Sequence, residues 1–176
     1  MSKAEINSKL ETLNSSDQAA FTSIVGPVFE HSPWIAEATW TRKPFQNLDG
    51  LHRALCDTVR ASGEEKQLEL IRAHPDLVGR AALAGTLTQS SMAEQSSAGL
   101  SKLSPEEIAT FQKYNRAYRD KFGFPFVICA RLNKKEAILT AFPIRLENSR
   151  EQEIKTALEE IYKIAYFRLQ DIVGAD

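Results

Sequence analysis

Cysteine is scarce in this sequence: among 176 residues there are two, Cys56 and Cys129. They lie far apart among apolar or helical neighbours, so a disulfide framework is not expected, and both are read as reduced thiols of a reducing compartment. Histidine is nearly as rare, at three, and no two stand at metal-ligand spacing, so no metal site is expected. No run approaches the roughly 20 apolar residues of a membrane span, and the opening MSKAEINSKLETLN lacks the apolar stretch of a signal peptide. Charge of one sign does not dominate: 22 Lys and Arg stand against 23 Asp and Glu. Neither sign forms a block that could track a phosphate backbone, which argues against nucleic acid as a partner. A Gly-x-Ser-x-Gly elbow, a phosphate-cradling Gly-x-x-x-x-Gly-Lys, a dinucleotide fingerprint and paired glycosidase carboxylates are missing too. These absences leave a cytoplasmic protein, away from membranes, whose chemistry uses side chains alone and no cofactor.

What is present is an ordinary folding composition, 43% hydrophobic and 26% charged, at a length near that of one globular domain. Helix signals recur from end to end while alternating strand patterns are almost absent. The expected class is therefore all-α, as a single compact multi-helix domain over residues 1–176. Ser15 with Gln18 reads as a capping box opening a helix that stops at Gly26-Pro27, and a short helix is expected from Ser32 with Pro33 in its first position. Leu48, Leu51, Leu55 and Val59 mark a helix ended by Ser62-Gly63. The next helix carries Leu68 and Ile71 and must stop near Ala73, because Pro75 disfavours helical geometry at His74. A loosely helical connection follows from Leu77 to Leu87, then a helix from Ser90 to Ala98. Ser104-Pro105-Glu106-Glu107 combines cap, proline and returning glutamate, and opens a helix that runs to Gly123. Phe124 to Ala130 reads as an isolated extended segment. Asn133 with Glu136 is expected to cap a helix that Pro143 bends or interrupts, and Ser149 with Gln152 opens the last and longest helix.

Three places could carry chemistry. In the last helix Ile154, Leu158, Ile161, Ala165, Arg168 and Ile172 step by four and three along one core-facing stripe, so Arg168 occupies an apolar position. A guanidinium stays charged, and inside a protein it needs a carboxylate or an anionic ligand; the plainer alternative is an arginine that snorkels or pairs with a structural acid. His74 stands at a helix exit, where free carbonyls favour its protonated ring and burial opposes it, so ionisation near neutral pH is attainable and suits proton transfer. A satisfied structural histidine is the alternative, and the same plain reading is given to His31, beside a helix cap, and His52, on an expected solvent face. Ser91, Glu94 and Gln95 stand at i, i+3 and i+4, one polar face that could read the N–H and C=O groups of a heterocycle or could simply be solvated.

Four segments, FEHSPW (Phe29 to Trp34), AHPDLVGRAALAG (Ala73 to Gly85), SSMAEQSSAGL (Ser90 to Leu100) and KFGFPFVIC (Lys121 to Cys129), together with a terminal IAxxRL, resemble the 2-oxo-4-hydroxy-4-carboxy-5-ureidoimidazoline (OHCU) decarboxylase family. This family completes the conversion of urate to (S)-allantoin. The resemblance covers Phe21 to Val173. It implies the all-α fold of that family, commonly a homodimer, with a cofactor-free pocket. It carries the family's catalytic histidine onto His74, its glutamate onto Glu94 and its substrate-binding arginine onto Arg168. Ser91 and Gln95 match neighbouring polar contacts, Pro75 helps form a wall, and ligand contacts are expected near Phe126 and Ile128. One departure is AFPIRL (Ala141 to Leu146), which puts Pro143 where related chains usually continue a helix and so bears on that helix and on a dimer surface. Two other classes stay open at this point, a non-catalytic helical ligand-binding module and a cofactor-free hydrolase of a cyclic amide. The retained polar trio argues against the first, and the course of reaction, decarboxylation or ring opening, separates the second.

Overall fold

The computed structural model describes residues 3–174, and among them every regular element is helical. The chain divides into two compact units: one is formed by the chain up to Leu70 together with Tyr162 onward, and the other is Ile71–Ile161.

The first unit contains α1 (Lys3–Ser15), α2 (Gln18–Val25), α3 (Trp34–Thr39), α4 (Leu48–Ala61), most of α5 (Glu64–Ala73) and the last part of α10 (Arg150–Val173). α2 is capped by Asp17, whose carboxylate accepts from the Ala20 amide at 2.8 Å. The expected Ser15 cap is thus corrected: Ser15 closes α1, with its hydroxyl donating to the Glu11 carbonyl. Three cap-forming residues, Ser15, Ser16 and Asp17, stand in a row here, and the carboxylate is the one placed to meet the positive helix end. α3 starts one residue later than expected, at Trp34. α4 begins at an Asn47 cap and buries Leu48, Leu51, Leu55 and Val59, as its spacing predicts. His52, on that helix, departs from expectation. It is half-buried, with Nε2 at 2.8 Å from the Tyr162 carbonyl, because the next turn of the apolar stripe draws its ring inward.

The second unit contains the end of α5, α6 (Arg80–Leu83), α7 (Gln89–Ser97), α8 (Pro105–Phe122), α9 (Lys135–Leu146) and the first part of α10. The Ser104–Glu107 capping box of α8 is present in both directions, and Gly123, at φ +78°, ends the helix in the left-handed conformation that glycine adopts without strain. The Ser149–Gln152 pair opens α10 in the same reciprocal way. α9 starts differently from expectation. Asn133 donates to the Cys129 carbonyl instead of capping, while the Lys135 amide is satisfied by the Ala98 carbonyl at 3.0 Å.

Pro143 does not end α9, which runs on to Leu146. The ladder lacks the bond proline cannot donate, but the neighbouring Phe142 is fully buried and stacks on Phe126 at 3.9 Å, so packing holds the turn that the backbone alone would weaken. Phe124 to Ala130 is a non-helical, buried segment up to Cys129, in line with the extended reading.

Candidate active site

Seven of the eight residues singled out from sequence belong to the second unit. His74 follows the last turn of α5. It is buried at 6% exposure, and its amide donates to the Ile71 carbonyl at 3.2 Å, closing the helix one residue before Pro75. The chain then turns sharply. Val78 takes a positive φ of 53°, and Gly79 lies so close behind Asp76 that a Cβ there would stand 2.6 Å from the Asp76 Cβ. A positive φ in a β-branched residue is strained, and it persists only where the surroundings enforce it.

Part of that enforcement comes from α7. Its N-cap is Thr88, and the face carrying Ser91, Glu94 and Gln95 points inward, with each of the three no more than 7% exposed. The solvated-face reading is therefore overturned. The Gln95 side chain accepts from the Val78 amide at 3.1 Å. Because a backbone N–H can face only the carbonyl oxygen of the amide, this bond fixes the orientation of Gln95 and leaves its NH₂ as the group available to a ligand. The same bond joins the turn after His74 to the Ser91–Glu94–Gln95 face.

Phe126 and Ile128 lie in the buried segment that follows α8. The Val127 carbonyl accepts from Arg145 Nη1 at 2.6 Å, and Arg145 is held in turn by Glu153 at 2.8 Å and by the Tyr118 hydroxyl at 3.2 Å. Tyr118 itself donates to Glu153. Burial pushes the Tyr118 hydroxyl far above its ordinary value, despite the Arg145 charge, so it stays a donor. In a trans peptide the C=O and N–H point to opposite sides. Anchoring the Val127 carbonyl therefore turns the Ile128 N–H the other way, and among the described residues it has no protein partner. Nearby Cys129 has its amide bonded to Glu160 at 2.8 Å, and burial raises its thiol above the ordinary range, so it is protonated and inert.

Arg168 belongs to the first unit, where it is 4% exposed. Its Nη1 lies 2.9 Å from a carboxylate oxygen of Glu30 and 3.4 Å from the Val28 carbonyl. The anion demanded by an inward arginine thus includes a protein acid that periodicity did not reveal. Glu30 lies in the FEHSPW segment, between Phe29 and the exposed His31, and is buried to 3% exposure, with no local pattern to mark it. Arg145, Glu153 and Tyr118 were also missed. Among the described residues no group of three or more His, Cys, Asp or Glu is placed to hold a metal ion, and no helix is long and apolar enough to cross a membrane.

Comparison with known proteins gives this arrangement a family. The chain is 44% identical to the 2-oxo-4-hydroxy-4-carboxy-5-ureidoimidazoline decarboxylase of Halalkalicoccus jeotgali, over 93% of this chain and 90% of that one. It is 40% identical to the mouse protein of the same name, over 93% and 92% respectively. It also matches 32% of the length of the uric acid degradation bifunctional protein of Bacillus subtilis, at 42% identity. Among solved structures, a crystal structure of (S)-allantoin synthase superposes with a TM-score of 0.74 at 31% identity, covering 92% of this chain and 52% of that one. A crystal structure of OHCU decarboxylase in the presence of (S)-allantoin has the same fold, with a TM-score of 0.68 at 22% identity, over 91% of this chain and 100% of that one. The family model described as OHCU decarboxylase matches residues 14–170, the span that holds the buried Ser91–Glu94–Gln95 face, His74 and the inward Arg168, and the chain belongs to that family.

Proposed function

We propose that this protein decarboxylates 2-oxo-4-hydroxy-4-carboxy-5-ureidoimidazoline to (S)-allantoin, with His74, Glu94 and Arg168 as its catalytic residues and without a cofactor. The observation that carries this reading is the burial of three polar side chains on one face of α7, bonded through Gln95 and Val78 to the turn that follows His74. Such a face sets hydroxyl, carboxylate and amide groups side by side next to the turn that carries His74, a mix of donors and acceptors that suits a polar heterocycle.

The substrate supplies its own electron sink. The carbon that bears the carboxylate also bears a hydroxyl and adjoins a ring C=N. As the bond to the carboxylate breaks and CO2 leaves, its electron pair moves toward that C=N and gives an enol-like intermediate, which is protonated on one face of the neighbouring carbon. His74 contacts the hydroxyl and carboxylate, assists proton removal as CO2 departs and takes part in the later proton delivery. General acid–base help of this kind contributes about 10²–10⁴-fold. Glu94 accepts from ureido or ring N–H groups, and Gln95, turned by Val78, donates to a substrate oxygen. Arg168 holds a carbonyl or anionic oxygen, and Ser91, Pro75 and the backbone near Phe126 and Ile128 complete the pose. The chain acts as one functional domain, and we place it as a cytoplasmic homodimer; gel filtration with light scattering checks the dimer.

The test uses substrate generated freshly by urate oxidation, with circular dichroism to follow (S)-allantoin and a separate assay for CO2. The wild-type protein accelerates both, whereas His74→Ala loses turnover and still binds allantoin. Ring opening without CO2 would instead mean hydrolysis, and no acceleration would mean a binding module. A His74→Ala variant with near wild-type rate would remove the histidine from the mechanism.

A further inference from the structure

The peptide between Leu77 and Val78 is gripped at both edges. Its N–H donates to Gln95 of α7 at 3.1 Å, and its C=O accepts from Asn115 Nδ2 of α8 at 2.8 Å. One turn further along α8, Arg119 Nε reaches both carboxylate oxygens of Asp76, at 2.9 and 3.0 Å. Leu77 and Val78 are themselves buried, while the flanking Asp76 and Gly79 border a pocket of about 560 Å³ that Asn115 and Arg119 also line. The turn so held contains Val78 at a φ of +53°, a conformation that a valine leaves when its neighbours allow it.

Asn115 has a second feature. It is 6% exposed, and among the described residues its Oδ1 has no hydrogen-bond partner. A buried acceptor left unpaired weakens a fold, and a leucine of similar size would remove that defect while orphaning the Leu77 carbonyl instead, so the two penalties offset. Stability alone therefore gives little reason for an asparagine here.

We infer that Asn115 is a positioning residue for the decarboxylation: by fixing the Leu77 carbonyl it holds the strained turn, and through the short Pro75–Asp76 link the His74 ring, in the reactive orientation. The inference rests on the proposed role of His74. Small displacements of a catalytic group cost up to about 10²-fold in rate, so Asn115→Leu lowers kcat by about tenfold or more, with KM changed far less. Its melting midpoint moves by less than about 4 °C, as the offset penalties require. Val78→Gly in the same background restores much of the lost kcat, because glycine adopts the positive φ without being held there.

The experiment measures kcat, KM and melting midpoint for the wild type, Asn115→Leu and the double variant Asn115→Leu with Val78→Gly, below every midpoint. Exchange of the amide at position 78 is followed by NMR in each. A kcat within twofold of wild type in Asn115→Leu, or a loss that the second substitution leaves untouched, overturns the inference. Should the wild-type protein itself fail to decarboxylate, the proposed function falls. The clamp is then judged by the exchange alone: at least about tenfold faster exchange of Val78 in Asn115→Leu supports it, and unchanged exchange overturns it.

Discussion

Arg168 and Glu30 face each other at 2.9 Å with side chains that are 5% and 2% exposed, although 138 residues separate them in sequence. A pair so deeply desolvated gains little over a well-packed apolar pair, but breaking it strands a charge. Glu30→Ala is therefore expected to lower unfolding stability by about 3–5 kcal/mol, measured in urea, while Glu30→Gln, which keeps an acceptor for the guanidinium, loses less. Equal stability of Glu30→Ala and wild type would show that other partners satisfy Arg168.

The Tyr118–Arg145–Glu153 group invites a graded comparison. Tyr118→Phe removes one hydroxyl and leaves the Arg145–Glu153 pair, with Asn148 still donating to Glu153 at 2.7 Å. Its expected cost is about 1–2 kcal/mol in denaturant unfolding. Arg145→Met takes the counter-charge from the buried Glu153, which keeps its Tyr118 and Asn148 donors, and frees the Val127 carbonyl, so the loss is expected to reach about 3–5 kcal/mol and allantoin binding to weaken with it. Equal losses for the two variants would mean that the guanidinium holds the segment no more firmly than the hydroxyl does.

Legibility in the sequence followed the range of the interaction. Ser104–Glu107 and Ser149–Gln152 were readable because both partners lie three residues apart, and the Gly123 stop needs only its own backbone. Arg168 was readable as a misfit on an apolar stripe, whereas Glu30 was not, since nothing local marks the acid that a distant helix will bury. The inward turn of Ser91, Glu94 and Gln95 was equally hidden, because spacing shows that three residues share a face but not which way the face points. Asn115 looked like any polar residue in a helix, and its meaning depends on a carbonyl 38 residues earlier. At α2 the sequence offered competing caps, and electrostatics at the helix end selected Asp17.

His52 makes stability depend on pH. Burial lowers its folded pKa below 6.5, outweighing the opposing effects of the Tyr162 carbonyl and Asp49. The unfolded chain then takes up a proton near 6.5 while the folded protein does not, so the contribution is full above that pH and is lost as pH falls through the window beneath it. Urea midpoints between about pH 7.5 and 5 should fall more steeply for wild type than for His52→Gln. Parallel slopes would mean that the ring protonates as easily in the folded protein as in the unfolded chain.

Gln95 offers the sharpest test of how the polar face is oriented. Its oxygen is committed to the Val78 amide, so Gln95→Glu keeps an acceptor for the turn while replacing the NH₂ by a second acidic oxygen. The turn should persist, although a carboxylate buried at 7% exposure beside Glu94 lowers the melting midpoint. Substrate binding should not, because a donor aimed at a substrate oxygen becomes a repelling charge. A hydrogen bond of this kind involving a charged partner contributes about 1.5–3 kcal/mol, so kcat/KM is expected to fall by about ten- to a hundredfold, chiefly through KM. Gln95→Leu separates the two duties: it loses both the donor and the grip on Val78, so kcat falls along with KM. If Gln95→Glu bound substrate as well as wild type, the NH₂ would not face the ligand, and Glu94 and Ser91 alone would have to read the ring.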